Sequence, residues 1–352
     1  MATLIHQLLH QAVEAGASDL LLSAGTPPAL RVDGELRLLE MAPLEGQQIT
    51  TCVEVFASVP QREHWRRARH LDFSGEFEGH RLRGSASWAG GEATLALRVL
   101  PASVPQAGQL GVPKAVVDLL NRPWGLLLVT GPAGHGKTTT CASLLDILNR
   151  RETKHIVTVE DPVEYKHRPV RCLFDQQEVG YDTPSFAAAL KQVVRHNPDV
   201  LMIGEIRDRE SVEAALNVAE TGHLVLTTMH ANDSVQALDR IASFFPRDQQ
   251  PHLWGQLSLS LAAVVNQRLI RGAKGGRVMA SEVLMNTLSV SNLIREGRTG
   301  QLHSALESEQ GHGSQSMNAS LKSLVDAGRL HVVAARAHLN PLETDLLPAP
   351  GQ

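Results

Sequence analysis

The sequence GPAGHGKTTT, residues 131–140, combines closely spaced glycines with a lysine and three threonines. Its first eight residues satisfy the pattern G-x-x-x-x-G-K-[ST], in which the backbone N–H groups of a glycine-rich loop surround phosphates. The apolar stretch GLLLVT precedes the loop, and KTTTCASLLDILNR, which reads as a helix, follows it. Because the strand and the helix that this pattern requires are both present, we predict a nucleotide-binding loop.

The chemistry of this loop assigns roles to its residues. We expect Lys137 to bridge the β- and γ-phosphates of ATP and the Thr138 hydroxyl to bind Mg²⁺. The expected nucleotide contacts in the loop are Gly131, Pro132, Gly134, Gly136, Lys137, Thr138 and Thr139.

Short apolar stretches alternate with amphipathic ones on the C-terminal side of the loop. HIVTVE, DVLMIGE and HLVLTTM read as buried strands, and RDRESVEAALNVAET and DSVQALDRIASFF read as helices. This alternation predicts an α/β fold with a parallel sheet that helices cover on both faces. We assign residues 114–275 to this core and residues 276–352 to a C-terminal helical part.

The N-terminal residues 1–100 follow a different pattern. LIHQLLHQAVEAG has helical spacing, and the alternating stretches after it read as strands with turns at Asp33-Gly34 and Gly90-Gly91. We therefore predict a small α/β domain over residues 1–100. The Pro- and Gly-rich residues 101–113 read as a linker.

Acidic residues follow two of the predicted buried strands. Glu205 ends DVLMIGE, and TVEDPVEY supplies Glu160, Asp161 and Glu164. We expect Glu205 to bind Mg²⁺, directly or through a water molecule, at the carboxyl end of the sheet. One of Glu160 and Glu164 would orient or deprotonate the attacking water, and the sequence leaves open which of them does so.

Composition narrows the function classes. The formal net charge is −4, and the three cysteines, Cys52, Cys141 and Cys172, form no CxxC pair. The acidic balance argues against a nucleic-acid partner, and the cysteine usage fits a reducing compartment. No basic leader and no uninterrupted apolar run of membrane-spanning length occurs, so we expect a cytoplasmic protein whose membrane role is peripheral.

Four motifs in this order are specific to one family. GPAGHGKTT, TVEDPVEY, GEIRD and AETGHLVLTTMHANDS resemble the Walker A loop, Asp box, Walker B motif and His box of the type II and type IV pilus secretion ATPases. The stretch NQRLIRGAKGGRVMASEVL lacks the four-cysteine zinc loop of the assembly and secretion members. With its short N-terminal part, the chain is therefore most similar to the pilus retraction ATPases, the PilT and PilU type.

The resemblance implies a domain architecture, an oligomeric state and a set of ligands and partners. A PAS-like N-terminal domain would precede a RecA-like ATPase domain, and six subunits would form a ring that binds ATP and Mg²⁺ at the cytoplasmic face of the inner membrane. The expected partner is the pilus platform protein of that membrane, with a paralogous ATPase as a further partner. Arg83 and Arg98 of the N-terminal domain, with Arg81 as a further candidate, would reach the phosphates. Within the His box, His230 would act in catalysis and His223 would contact nucleotide.

The sequence also departs from the family pattern. His135 replaces a small residue in the Walker A loop, Ser85 replaces an asparagine, and Asn318 replaces an aspartate. These departures leave two alternatives to a retraction motor: an accessory ring subunit that binds ATP and assists a partner ATPase, and an assembly or secretion ATPase of a related system. A nucleic-acid motor is disfavoured by the acidic charge balance.

Overall fold

The computed structural model describes residues 3–32, 34–101 and 103–339 of the chain. The chain divides into two units, Met1–Ser103 and Val104–Gln352. The strands are β1 Asp19–Ser23, β2 Ala29–Val32, β3 Glu35–Leu38, β4 Leu71–Phe77, β5 His80–Ala89, β6 Glu92–Val99, β7 Gly125–Thr130, β8 His155–Glu160, β9 Leu173–Glu178, β10 Val200–Ile203, β11 Leu224–Met229, β12 Leu261–Arg271 and β13 Arg277–Met285.

Helices of four or more residues connect these strands. They are α1 Leu4–Glu14, α2 Gly46–Phe56, α3 Val59–Ala68, α4 Ala107–Leu110, α5 Lys114–Asp118, α6 Lys137–Arg151, α7 Phe186–Val193, α8 Arg209–Glu220, α9 Ser234–Ser243, α10 Gln250–Ser260, α11 Leu288–Arg295, α12 Leu302–Ser308, α13 Met317–Asp326 and α14 Val332–Arg336.

The first unit is the small α/β domain that the sequence predicts. Its six strands form an antiparallel sheet in the order β3-β2-β1-β6-β5-β4. β5 and β6 are joined at Gly90-Gly91 as expected, whereas Asp33 of the other expected turn lies outside the described residues. The basic stretch 62–70, which reads as a solvated helix face, lies largely in α3, and α3 begins with a capping box of Ser58 and Gln61. The sequence reasoning did not assign α2, although it also begins with a capping box, Glu45 with Gln48.

The second unit contains a seven-stranded sheet in the order β13-β12-β7-β11-β10-β8-β9. Neighbouring strands are parallel from β12 to β9, and β13 is antiparallel to β12. Side chains of β7 alternate between two cores: Leu126 and Leu128 pack with residues of α7 to α12, and Leu127 and Val129 pack with residues of α4 to α6. Because alternate residues point to opposite faces, helices cover both sides of the sheet.

Two expectations about domain organisation are corrected by the structure. The expectation of helices from residue 276 onward is wrong for Arg277–Met285, which is β13 and extends the sheet. This segment forms a hairpin with β12 across the glycine-containing turn 272–276 and buries apolar residues, including Met279 and Val283. The presumed linker 101–113 is also structured from residue 107, because α4 forms there and Ala107 and Val112 are buried in the core. Residues 340–352 of the expected helical part lie outside the described residues.

Candidate nucleotide site

Four neighbouring strands of the second unit end at one edge of its sheet. β7, β8, β10 and β11 are parallel, with Thr130 opposite Met229 and Ile203 opposite Val159. The Walker A loop, the Asp box, the Walker B glutamate and the end of the His box therefore follow adjacent strand ends. The carboxyl edge of an open parallel sheet is where such folds bind ligands.

The loop between β7 and α6 has the backbone of a phosphate loop. Gly134 and Gly136 have φ of +75° and +80°, a left-handed conformation that residues with a Cβ rarely adopt. At Gly131 the loop passes so close to β12 that an added Cβ would lie 2.4 Å from the carbonyl oxygen of Gln267. The loop leads directly into α6, whose N-terminal N–H groups and dipole attract anions.

Lys137, the first residue of α6, turns its ammonium group back onto the loop. Its Nζ donates to the carbonyl oxygens of Gly131 and Pro132, both at 3.0 Å, and lies 3.2 Å from Nδ1 of His230. Burial lowers the pKa of Lys137, while the carboxylates of Glu205 and Glu164 act in the opposite direction. The lysine is thus placed inside the loop, among groups that a phosphate oxygen can replace.

His230 connects Lys137 to Glu205. An ammonium group only donates hydrogen bonds, so His230 Nδ1 is the acceptor and the ring proton lies on Nε2. That Nε2 lies 3.4 Å from Oε1 of Glu205, and Oε2 of Glu205 accepts a hydrogen bond from Arg207 at 3.0 Å. Arg207 also lies 3.7 Å from Asp161 of the Asp box. The structure therefore joins residues of all four motifs in one polar network.

The threonines after Lys137 occupy the first turn of α6. The Thr139 hydroxyl lies 2.9 Å from the hydroxyl of Tyr165, which connects the Walker A helix to the Asp box. Thr138 is half-buried. Thr138 therefore follows the end of β7, and Glu205 follows the end of β10, at the same edge of the sheet.

Glu160 and Glu164 lie in different environments. Glu160, the last residue of β8, is only 5% exposed and accepts hydrogen bonds from Thr158 Oγ1 at 2.7 Å and from Gln176 Nε2 at 3.4 Å. Its carboxylate also accepts the backbone N–H of Glu164, and burial raises its pKa to about 7. Glu164 is half-buried and acts electrostatically on Lys137. Glu160 therefore holds the Asp-box backbone, and the side chain of Glu164 acts on the phosphate loop.

The raised pKa of Glu160 predicts that the difference in stability between Glu160→Gln and the wild type depends on pH. The pKa of this carboxyl is about 7 in the folded chain, against an ordinary value of 4.5, so between these pH values the folded state holds a proton that the unfolded state has lost. The contribution of Glu160 to the free energy of unfolding of the wild type is consequently lost as the pH rises from about 4.5 through about 7. We expect the stability of Glu160→Gln relative to wild type to increase from pH 5 to pH 8, by up to about 3 kcal/mol.

Denaturant unfolding of both proteins at the two pH values measures this difference. Glu307→Gln, which removes an exposed carboxyl group, is the matched control and should show no such trend. A Glu160→Gln difference that is the same at both pH values would contradict the raised pKa.

The structure does not bring His223 to this edge. His223 immediately precedes β11, whose first residue, Leu224, lies opposite Gly125 at the start of β7. Six strand residues at about 3.3 Å each place it about 20 Å from the phosphate loop of its own chain. Its Nδ1 lies 3.0 Å from the carbonyl oxygen of Val218 and 3.1 Å from the Thr221 hydroxyl, at the end of α8. The contacts of His223 are those of a structural residue, and the expected nucleotide contact is not found within this unit.

The two histidines of the His box should therefore differ in their effect on ATP turnover. We expect His230→Ala to lower turnover at least about tenfold, because it removes the group between Lys137 and Glu205. His223→Ala should leave turnover within about twofold of wild type, because its contacts lie at the opposite edge of the sheet. Steady-state ATPase assays of the two variants compare them directly. Equal losses in both would contradict the placement of His223.

Arg83 and Arg98 belong to the first unit. They lie opposite each other on β5 and β6, and the Nε of Arg98 donates to Oδ1 of Asp19 at 3.0 Å. The Arg98 side chain is 59% exposed. The pairing places two guanidinium-bearing residues side by side on one sheet, which is an arrangement suited to phosphate oxygens.

Sequence reasoning missed two buried polar residues of β12. Asn266 donates to the Thr130 hydroxyl and to the carbonyl oxygen of Ala231, and so joins the end of β7 to the segment after β11. Gln267 donates to the carbonyl oxygen of His135 and accepts from the Thr140 hydroxyl. The available signal was a pair of amides within the apolar run LAAVVNQRLI, since buried polar side chains need hydrogen-bond partners.

Across the described residues, no helix has the length and apolar character that a membrane crossing would need. Within the same residues, no group of three or more His, Cys, Asp or Glu side chains is placed to hold a metal ion by itself.

Comparison with known proteins identifies the family of the chain. The family model described as "Type II/IV secretion system protein" matches residues 1–322. The type IV pilus retraction ATPase PilT of Pseudomonas aeruginosa is 39% identical over 94% of this chain and 97% of its own length. The type IV pilus ATPase PilU of the same organism is 37% identical over 94% of this chain and 87% of its own.

A solved structure gives the same result for the fold. The crystal structure of the pilus retraction motor PilT with bound ADP has a TM-score of 0.88 and 38% identity, and the match covers 97% of this chain and 99% of that one. The expected RecA-like core with a smaller N-terminal domain is therefore confirmed. The chain is an ATPase that belongs to the type II/IV secretion system protein family.

Proposed function

We propose that this chain is the subunit of a homo-hexameric motor that hydrolyses ATP to power type IV pilus retraction. The supporting observation is the match to the retraction ATPase PilT over nearly the whole of both chains, in sequence and in structure. The hairpin of β12 and β13 adds a second argument. Its turn consists of five residues, 272–276, and contains no cysteine, whereas the zinc loop of the assembly members requires four.

The phosphate loop, Lys137 and the N-terminus of α6 bind the nucleotide phosphates in this proposal. Lys137 exchanges its contacts with the Gly131 and Pro132 carbonyl oxygens for phosphate oxygens. The hydroxyl of Thr138 and the carboxylate of Glu205 hold Mg²⁺, an ion that typically takes one or two protein oxygens together with substrate phosphates and water. Mg²⁺ supplies charge neutralisation on the phosphates.

Glu164 is the proposed general base, and Glu160 positions it. Glu164 shares the electrostatic environment of Lys137, so its carboxylate is suited to accept the proton of the attacking water. Glu160 accepts the backbone N–H of Glu164 and thereby fixes the Asp-box loop. His230, between Lys137 and Glu205, couples the phosphate-binding lysine to the proposed metal ligand.

Arg83 and Arg98 complete the site in this proposal. A planar guanidinium group stabilises the charge that spreads over phosphate oxygens during transfer. The proposed partners are five further copies of the chain, the pilus platform protein at the cytoplasmic face of the inner membrane, and a paralogous ATPase.

Two measurements test the function. The first is ATP turnover by the purified protein and by Glu205→Gln, which should lose activity with its proposed metal ligand. The second is a deletion strain, which should accumulate surface pili and lose pilus-dependent motility if the motor drives retraction. Loss of pili would instead identify an assembly motor. Nucleotide binding without turnover would identify an accessory subunit.

A further inference from the structure

The phosphate loop lies along a part of β12 that β7 does not reach. β7 pairs with β12 from Leu261 to Asn266, and β12 then continues to Arg271 with β13 on its other side. An unpaired strand edge presents N–H and C=O groups that need partners. The loop approaches this edge closely at Gly131, beside the backbone of Gln267.

His135 fastens the loop to this edge in two ways. Its ring Nδ1 accepts a hydrogen bond from the backbone N–H of Leu269 at 2.9 Å. Its carbonyl oxygen accepts a second hydrogen bond from Nε2 of Gln267 at 2.7 Å, and Oε1 of Gln267 accepts one from the Thr140 hydroxyl at 2.8 Å. Residues on both sides of Lys137 are thereby tied to residues 267–269.

The ring of His135 is neutral near pH 7, as this contact requires. Burial lowers the pKa of His135, and the positive charges of Lys137, Arg268 and Arg277, together with the nearby His338, lower it further. With the ring proton on Nε2, the lone pair of Nδ1 can accept the Leu269 N–H.

The contact has a consequence for nucleotide binding. Gly134 and Gly136 flank His135, and glycine loses more conformational freedom on ordering than any other residue. A loop that is already ordered before the ligand arrives binds it more tightly, because less entropy is lost on binding. The family pattern has a small residue at this position, which carries no ring to reach β12.

We propose that His135 is a positioning residue whose ring acceptor holds the phosphate loop in its nucleotide-binding conformation. This inference rests on the proposed nucleotide site and adds a residue that acts through the loop backbone. The test uses three variants of the full chain. His135→Asn keeps an acceptor at the same number of bonds from Cβ as Nδ1, His135→Gln moves the acceptor one carbon outward, and His135→Ala removes it.

Calorimetric titration with ADP in the presence of Mg²⁺ measures the affinity of each variant, and melting temperatures of the ligand-free proteins report folding. We expect His135→Ala and His135→Gln to bind ADP about tenfold more weakly, and His135→Asn to stay within about threefold of wild type. Wild-type affinity in His135→Ala overturns the inference, even where its melting temperature falls. Equal weakening in all three variants also overturns it, because the acceptor would then be irrelevant. Failure of the wild type to bind ADP refutes the nucleotide site itself.

Discussion

Replacing Lys137 with alanine should lower ATP turnover by at least about a hundredfold. Removing one donor that stabilises developing transition-state charge typically costs a factor of about 10² to 10³ in rate. The Lys137 ammonium is held at 3.0 Å from two loop carbonyl oxygens and 3.2 Å from His230, so it is already fixed where the phosphates are expected. A pre-positioned charge needs little reorganisation when the reaction occurs.

The measurement is steady-state turnover over a range of ATP concentrations, with ADP affinity measured in parallel. Lys114→Ala is the matched control, because the Lys114 side chain is 88% exposed and pairs with Asp118 one turn away in α5. Such a surface pair contributes little to stability, so this variant should behave as wild type. Turnover by Lys137→Ala within threefold of wild type would place ATP hydrolysis at another site.

The sequence predicted the parts of this site that local patterns encode. The fully buried strands β7, β10 and β11 appeared as short apolar runs, and the glycine-lysine loop between a strand and a helix fixed the phosphate end of the site. Each of the motifs follows a predicted strand, and parallel strands all end at one edge of the sheet. The positions of the motifs were therefore sufficient to predict that Glu205, Glu164 and His230 lie near the loop.

Features that depend on strand register could not be read from the sequence. Gln267 and Leu269 form hydrogen bonds with His135 because β12 extends past the end of β7. Neither strand sequence indicates how far β12 extends beyond β7. The position of His223 is a similar case. Both histidines adjoin the same strand, but only the parallel register with β7 shows which end faces the loop. Glu160 is buried and Glu164 is half-buried, and this difference assigns them different roles. The motif TVEDPVEY contains both glutamates and does not show which of them is buried.

Replacing Glu164 with glutamine should lower kcat for ATP hydrolysis by about 10² to 10³ while leaving ADP affinity within about threefold of wild type. General bases contribute factors of about 10² to 10⁴, and an isosteric amide retains the size of the side chain but cannot take a proton. Glu160→Gln should lower kcat by only about tenfold. Glu160 is 5% exposed and is engaged by Thr158, Gln176 and the Glu164 backbone, so it acts through the loop that it holds.

The pH profile of wild-type turnover separates the two assignments. The pKa of Glu160 is raised to about 7, so a mechanism in which Glu160 takes the proton would show kcat rising with pH through about 7. That rise would disappear in Glu160→Gln together with nearly all of the activity. If Glu164 is the base, Glu160→Gln keeps measurable turnover over the whole range. Loss of turnover in Glu160→Gln as large as in Glu164→Gln, accompanied by the rise near pH 7 in wild type, would reverse our assignment.

A double substitution tests whether Glu160 acts through Glu164. Residues that contribute to one function as a unit show strongly non-additive effects, whereas independent residues add in free energy. The only role that we assign to Glu160 in catalysis is to hold the Glu164 backbone. Once the base is absent, that positioning has no reaction to assist. The Glu160→Gln substitution should therefore cost about tenfold in the wild-type background and less than about twofold in the Glu164→Gln background. The same tenfold loss in both backgrounds would show that Glu160 contributes to hydrolysis independently of Glu164.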